Sequence, residues 1–85
     1  MNYPELREKY EKRAIKFAEE WKEDVSEHII DVIVSVMFTR DKIQDGGSFV
    51  QSVVNNDLYQ AVTRADKDCI KHLKLITLAK YNCHI

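Results

Sequence analysis

A stripe of mostly apolar side chains runs along the first 36 residues, and its spacing strongly constrains how the chain can fold. The stripe consists of Leu6, Tyr10, Ala14, Phe17, Trp21, Val25, His28, Val32 and Val36. Its members are four, four and three positions apart in a repeating order. This eleven-residue repeat corresponds to about 3.67 residues per turn, close to an undistorted α-helix. The stripe therefore predicts a long, nearly straight helix over residues 1–38.

Capping patterns place the start of this helix and one alternative break. Asn2 can cap the helix, with Glu5 three positions later as the returning partner of a capping box. Asp24 and Glu27 repeat the pattern, so a break near residue 24 is the alternative. Unbroken, the helix would be about 50 Å long, and a compact chain of this size has a radius of gyration of about 12 Å. The continuous helix would overhang its own domain and would need a partner.

The rest of the chain predicts two shorter helices after one loop. Gly46 and Gly47 close the loop 39–47, and Ser48 with Gln51 three positions later marks a helix start. We expect a helix over 48–64, kinked at the poor helix formers 55–57, and a last helix over 66–80. The positions expected to be buried in the last helix are Ile70, Leu73, Ile76 and Leu78. The tail 81–85 is expected to fray.

Composition agrees with one small all-α domain over residues 1–85. The chain is 45% hydrophobic and 32% charged, which excludes a disordered protein. Two glycines and one proline are too few for the many tight turns of an all-β fold. The net charge of −1 gives no overall attraction to nucleic acid or to an anionic membrane. No signal-peptide core or long apolar run occurs, so we expect a cytoplasmic protein.

No pattern in the sequence predicts an enzyme, a cofactor or a metal site. Gly46-Gly47 lacks the GxxxxGK[ST] order of a phosphate loop. The residue types that bind zinc do occur, but their spacing matches no common zinc pattern; they are Cys69, His72, Cys83 and His84. Both cysteines are expected to be reduced thiols. An ordinary hydrogen-bonded role is favoured for His28 over a pH switch.

The aromatic members of the stripe predict either a core or an interface. Tyr10, Phe17 and Trp21 share one face of the predicted helix, and large aromatic side chains are favoured anchors of interfaces. We expect a homo-oligomer, most simply a dimer, whose contacts also involve Leu6, Val25, His28 and Val32. Fully burying one aromatic side chain contributes about 2–3 kcal/mol, so Trp21→Ala is expected to be the most damaging single change.

A basic helix near the C-terminus provides an alternative function. Lys67, Lys71 and Lys74 lie at helical spacing and would share a face able to meet phosphates. The hypothesis favoured by the whole sequence is a small non-enzymatic protein of a bacterium, phage or plasmid that binds or sequesters a larger protein partner. The alternative is a DNA-binding transcriptional regulator that uses these three lysines.

The order of features over residues 29–81 resembles the small enterobacterial biofilm and acid-resistance regulators of the YmgB/AriR type. An apolar helix ends at Met37, and a polar turn with Asp41 and Ile43 follows. A helix beginning near Phe49 and the pair Ala65-Asp66 precede a closing helix that ends near Tyr81. The resemblance implies an all-α dimer that acts as a regulatory connector through protein contacts, with possible DNA association.

Overall fold

The computed structural model describes residues 2–85, and this part of the chain contains six α-helices and no β-strand. The helices are α1 (Tyr3–Glu20), α2 (Glu27–Arg40), α3 (Ser48–Val54), α4 (Leu58–Arg64), α5 (Lys67–Lys71) and α6 (Leu73–Asn82). The predicted all-α class is confirmed. None of these helices combines the length and the apolar character that crossing a bilayer requires.

The predicted continuous first helix is wrong and the alternative, a break near residue 24, is found, because residues 21–26 separate α1 from α2 and α1 folds back along α2. The second helix is capped by Ser26, whose hydroxyl accepts a hydrogen bond from the Ile29 N–H, rather than by Asp24. The start of α1 reaches the end of α2, where the rings of Tyr3 and Phe38 meet edge to face at 6.1 Å. The longest dimension is 36 Å and the radius of gyration is 11.8 Å, so no helix overhangs the domain.

The chain leaves α1 through a Schellman motif centred on Lys22. Lys22 has a φ of 56°, in the left-handed region. Its N–H donates to the Glu19 carbonyl at 2.9 Å, and the Glu23 N–H donates to the Ala18 carbonyl at 3.1 Å. These two bonds satisfy carbonyls that the end of the helix leaves free, and they reverse the chain without a glycine.

Helix α2 is the centre of the core. It packs against α1, α3 and α6, which agrees with a segment that is apolar on nearly all sides. Its buried residues are Ile29, Ile30, Ile33, Val34, Val36, Met37 and Phe38. From α1, the residues Tyr10, Ala14, Phe17 and Ala18 complete this side of the core.

The two predicted C-terminal helices are each interrupted once. Residues 55–57 separate α3 from α4, at the expected kink, and His72 separates α5 from α6. The interruption at His72 changes which residues of α6 face inward, so Leu75, Ile76 and Ala79 are buried. Of the other positions expected to be buried, Ile70 is exposed, while Leu73 and Leu78 are half-buried.

The tail after α6 is packed rather than frayed, because Cys83 lies in the core and Arg40 holds the turn around it. The Cys83 side chain is completely buried, with its sulfur 3.5 Å from that of Met37. Arg40 Nη1 donates to the carbonyls of Ala79, Lys80 and Cys83 at 3.2, 3.0 and 2.7 Å. These contacts satisfy the last carbonyls of α6 and fix the C-terminus against α2.

Candidate protein-binding groove

An apolar groove of about 160 Å³ lies between α4 and α6. Its lining residues come from the end of α3, from α4 and from one side of α6; they are Ser52, Val53, Asn56, Asp57, Leu58, Ala61, Leu73, Thr77 and Tyr81. We refer to this feature as the α4–α6 groove. Drug-sized ligands occupy pockets of about 300–1,000 Å³. The groove is therefore too small for such a ligand and suits a single large side chain.

The turn between α3 and α4 positions one wall of the groove. Asn56 has a φ of 60°, a left-handed conformation that asparagine tolerates well. Its side-chain oxygen accepts hydrogen bonds from the Tyr81 hydroxyl and, at 3.1 Å, from Lys80 Nζ. The Asp57 carboxylate then caps α4 by accepting from the Gln60 N–H at 3.1 Å. These contacts tie the turn to α6 across the groove.

Helix α4 turns an apolar face outward beside this groove. Leu58 is 71% exposed, Tyr59 74% and Val62 43%, whereas Ala61 is the buried residue of this helix. Leu58 and Val62 are one helical turn apart and therefore share a face. Contiguous exposed apolar surface on a small protein is typical of an interaction site.

The C-terminal half of the chain carries excess positive charge, although the charged residue in the groove lining itself is the acidic Asp57. Residues 46–85 contain five lysines and arginines against three aspartates, although the whole chain is slightly negative. Lys74 lies next to Leu73 and seven positions before Tyr81 on α6, so helical spacing places it on the groove side. Among residues 2–85, no acidic side chain lies within ion-pair distance of Lys67, Lys71 or Lys74, all of which are exposed.

These three lysines do not follow one uninterrupted helix. Lys67 and Lys71 belong to α5, whereas Lys74 belongs to α6, beyond the interruption at His72. The helical register that predicted a shared face therefore does not run through all three.

The structure distributes the predicted interface residues between the core and the surface. Tyr10 and Phe17 are buried inside the chain's own core, and Leu6, Val25 and Val32 are half-buried against it. His28 is exposed, and Trp21 is 45% exposed at the end of α1. Because α1 folds back on α2, Tyr10 and Phe17 are covered by the chain itself and present no free anchors.

The exposed face of α4 was not identified from the sequence. Leu58, Ala61 and Val62 follow helical spacing with the apolar residues before them, and this spacing does not distinguish a buried face from an exposed one. The separate cap at Asp57 starts α4 anew, so only Ala61 is buried. The cluster Asn55-Asn56-Asp57 is the signal that indicated this break, since these residues favour turns and caps over helix interiors.

The two histidines of the set Cys69, His72, Cys83 and His84 have separate partners. His72 Nδ1 lies 3.0 Å from a Glu23 carboxylate oxygen, and His84 Nε2 lies 2.8 Å from the Tyr81 carbonyl oxygen. Both cysteines are free thiols, as expected. Burial raises the pKa of Cys69 to about 11 and also raises the pKa of Cys83. Both thiols are therefore protonated near neutral pH, unlike activated nucleophiles.

Comparisons with protein-family models, with curated proteins and with solved structures find no match for this chain. The resemblance over residues 29–81 thus stays a prediction.

Proposed function

We propose that this chain is a small non-enzymatic interaction protein that binds a larger protein partner through the α4–α6 groove. The occupant that fits the groove is an acidic amphipathic helix of the partner. The observation that carries the proposal is the outward apolar face of Leu58, Tyr59 and Val62 next to the groove. This proposal agrees with the sequence in the kind of function, binding of a larger protein partner. It differs in the binding surface, which lies on α4 and α6 rather than on the stripe of α1 and α2.

The size and shape of the surface support a helix as occupant. Amphipathic helices bind grooves through apolar anchors spaced three or four positions apart. The α4–α6 groove has room for one such apolar side chain, and the next one along the bound helix would pack on the exposed apolar face of α4. Tyr59 and Tyr81 are both exposed at this surface, and tyrosine is enriched among the residues that dominate binding energy.

The exposed lysines beside the groove support an acidic occupant whose carboxylates lie toward these lysines and away from Asp57 in the groove lining. Lys71 and Lys74 are exposed close to the groove-lining Leu73 and lack acidic partners in the part of the chain that the structure describes. Carboxylates on a bound helix would complement them and would mainly accelerate association and fix register. Since such rim charges are screened by salt, the affinity is expected to fall at high ionic strength.

A tagged pull-down from nuclease-treated bacterial lysate tests the proposal when it is paired with two matched variants. Leu58→Asp places a charge on the exposed apolar face of α4. Ile15→Asp makes the same kind of change on α1, at a residue that is 41% exposed and outside the groove. We expect one stoichiometric partner that Leu58→Asp loses, that Ile15→Asp retains, and that elutes as salt is raised. A partner that binds both variants equally, or no partner at all, would contradict the proposal.

Two other results of the same series would assign the surface differently. A dimer seen by light scattering that Leu58→Asp dissociates would identify a second copy as the occupant. This outcome would keep the predicted homodimer but place it on α4 rather than on the stripe. Retardation of DNA that falls steeply with salt and is lost when Lys67, Lys71 and Lys74 are changed to glutamine would favour the DNA-binding alternative.

A further inference from the structure

A second cleft brings together three metal-ligating side chains that are far apart in the sequence. His28 lies on α2, Asp66 caps α5, and Cys69 lies on α5. Their donor atoms all lie within 4.8 Å of one another. From this set we infer a binding site for one divalent metal ion of the zinc class, formed by His28, Asp66 and Cys69. The inference is independent of the α4–α6 groove.

The fold holds Asp66 with one oxygen engaged and the other directed toward His28. Asp66 Oδ1 accepts the Cys69 N–H at 2.8 Å, which caps α5 and fixes the carboxylate. Asp66 Oδ2 lies 3.0 Å from His28 Nε2. Asp66 and Cys69 are three positions apart in the first turn of α5. The hydrogen bond that caps this helix therefore also keeps the Asp66 carboxylate close to the Cys69 thiol.

The cleft around the cluster is open to solvent on the side of His28 and apolar on the side of Cys69. The cleft has a volume of about 270 Å³, and Val32, Phe49 and Val50 line it together with the three ligating residues. The Cys69 side chain is buried, whereas the His28 side chain is 51% exposed. An ion can therefore enter past the imidazole and reach the thiol, which is shielded from solvent.

The donor set selects the class of metal. A thiolate, an imidazole nitrogen and one carboxylate oxygen are the three ligand types of zinc sites, with metal–ligand distances of about 2.0–2.3 Å. Such distances separate tetrahedral ligands by about 3.3–3.8 Å. Binding an ion therefore requires side-chain movement: the wider separations, of up to 4.8 Å, must close, and the 3.0 Å separation of His28 Nε2 and Asp66 Oδ2 must open slightly. Three protein ligands leave the fourth position to water.

The charges at the site are compatible with a cation. Thiolate and carboxylate together supply two negative charges, and Arg64 is the one basic residue in the cleft lining. Arg64 is exposed and can turn toward solvent. Coordination requires the thiolate, so the Cys69 proton passes to the solvent when the metal binds. The contact between His28 and Asp66, together with the capping of α5 by Asp66, is enough to account for these two residues. The adjacent Cys69 thiol adds the third ligand of a chelating set.

Cobalt titration of the purified reduced chain tests this inference. We expect one Co²⁺ per chain, a thiolate-to-cobalt charge-transfer band in the near ultraviolet, and displacement of Co²⁺ by Zn²⁺. Cys69→Ser should abolish the band. Loss of an outer-shell partner alone typically weakens metal binding about 10–100-fold, so loss of a direct ligand in His28→Asn should weaken it at least as much.

Matched variants separate ligation from folding. Asp66→Asn retains a good N-cap residue but removes the anionic ligand, so the helix should remain while Co²⁺ affinity falls. His84→Asn changes an exposed histidine in the tail and should leave the band unchanged. Leu58→Asp should also leave it unchanged, which distinguishes this site from the groove. Absence of the band in the folded wild-type chain, or a band that survives both His28→Asn and Asp66→Asn, would overturn the inference.

Discussion

The hydroxyl of Tyr10 on α1 donates a 2.8 Å hydrogen bond to the carboxylate of Asp41, the residue that ends α2. The ring of Tyr10 meets that of Phe38 edge to face at 4.8 Å, so one side chain combines core packing with a polar contact at the core's edge. The same carboxylate is held by Arg40 Nε at 2.8 Å. Tyr10, which the sequence offered as an interface anchor, thus fastens α1 to α2 within the chain.

Removing the Tyr10 hydroxyl should destabilise the protein without disturbing the core. A hydrogen bond to a charged acceptor contributes about 1.5–3 kcal/mol, and this one is only partly buried, so Tyr10→Phe should cost about 1–2 kcal/mol. Urea unfolding at pH 7 measures the change. Tyr59→Phe is the matched control, since Tyr59 is exposed and its loss of a hydroxyl should change stability by less than about 0.5 kcal/mol. Equal effects of the two variants would contradict the assignment.

The same contact makes stability depend on pH at both extremes. Burial and the Asp41 carboxylate raise the pKa of Tyr10 from 10.0 to about 12, so the folded state keeps a proton that the unfolded state loses. The stabilisation is therefore complete below pH 10 and is lost as pH rises toward 12. The hydrogen bond from Arg40 holds the pKa of Asp41 below its ordinary value of 3.8. That stabilisation is present above pH 3.8 and is lost as pH falls through the lower, folded-state pKa.

Unfolding free energies measured across pH in variants check these signs. Tyr10→Phe should flatten the loss of stability between pH 10 and 12, and Asp41→Asn should flatten the loss below pH 3.8. An unchanged alkaline slope in Tyr10→Phe would show that other groups cause it.

Phe17→Ala should damage the fold much more than Trp21→Ala, which reverses the expectation from the sequence. Phe17 is 2% exposed in the core, whereas Trp21 is 45% exposed at the end of α1. Changing a buried phenylalanine to alanine typically lowers the free energy of unfolding by about 3–5 kcal/mol. The same change at a half-exposed aromatic residue lowers it by about 1 kcal/mol. Thermal unfolding of the two variants tests the order. A larger loss in Trp21→Ala would mean that Trp21 is buried in solution, as at an oligomer contact.

The two adjacent glycines should respond differently to alanine. A Cβ on Gly46 would lie 2.6 Å from Ser35 Oγ and 2.6 Å from Val50 Cγ1, while a Cβ on Gly47 would meet nothing within 4 Å. Overpacking of this kind costs about 1–3 kcal/mol, so Gly46→Ala should lower the melting temperature. Gly47→Ala serves as the control and should change it little, since Gly47 is the N-cap of α3 and the preference of that position for glycine is offset by the lower entropy of alanine in the unfolded chain. Similar effects at both positions would indicate that α2 and α3 pack less closely than described.

Lys22→Gly should stabilise the protein, because Lys22 has a left-handed backbone conformation that a side chain disfavours. The left-handed region costs a non-glycine residue about 1–2 kcal/mol, and the greater freedom of glycine in the unfolded chain offsets part of the gain. We expect a net gain of about 0.5–1 kcal/mol, seen as a rise of a few degrees in Tm. Lys9→Gly inside α1 should instead destabilise by about 1 kcal/mol. A loss of stability in Lys22→Gly would contradict the Schellman assignment.

Local signals in the sequence determined the helical class, the Asn2 cap, the loop before Ser48 and the expected kink at 55–57. They depend only on neighbouring residues, as the hydrogen bond from the Glu5 N–H to the Asn2 side chain at 3.0 Å illustrates. Apolar spacing likewise identified Tyr10, Ala14 and Phe17 as one face of a helix, and this face is buried.

Only the tertiary structure decided whether the chain turns back after α1 and which apolar residues remain outside. Three helices, α1, α2 and α3, end with left-handed residues, and these are Lys22, Lys42 and Asn56 rather than glycines. The usual signal of a helix end, a glycine or an asparagine, is therefore missing after α1 and α2 but is present after α3 as Asn56. The apolar spacing of the stripe continues through Trp21 and Val25, although the helix ends at Glu20. Because α1 folds onto α2, Tyr10 and Phe17 are buried without a second chain. Burial of these large side chains outweighs the local cost of one left-handed residue, since each contributes about 2–3 kcal/mol against about 1–2 kcal/mol.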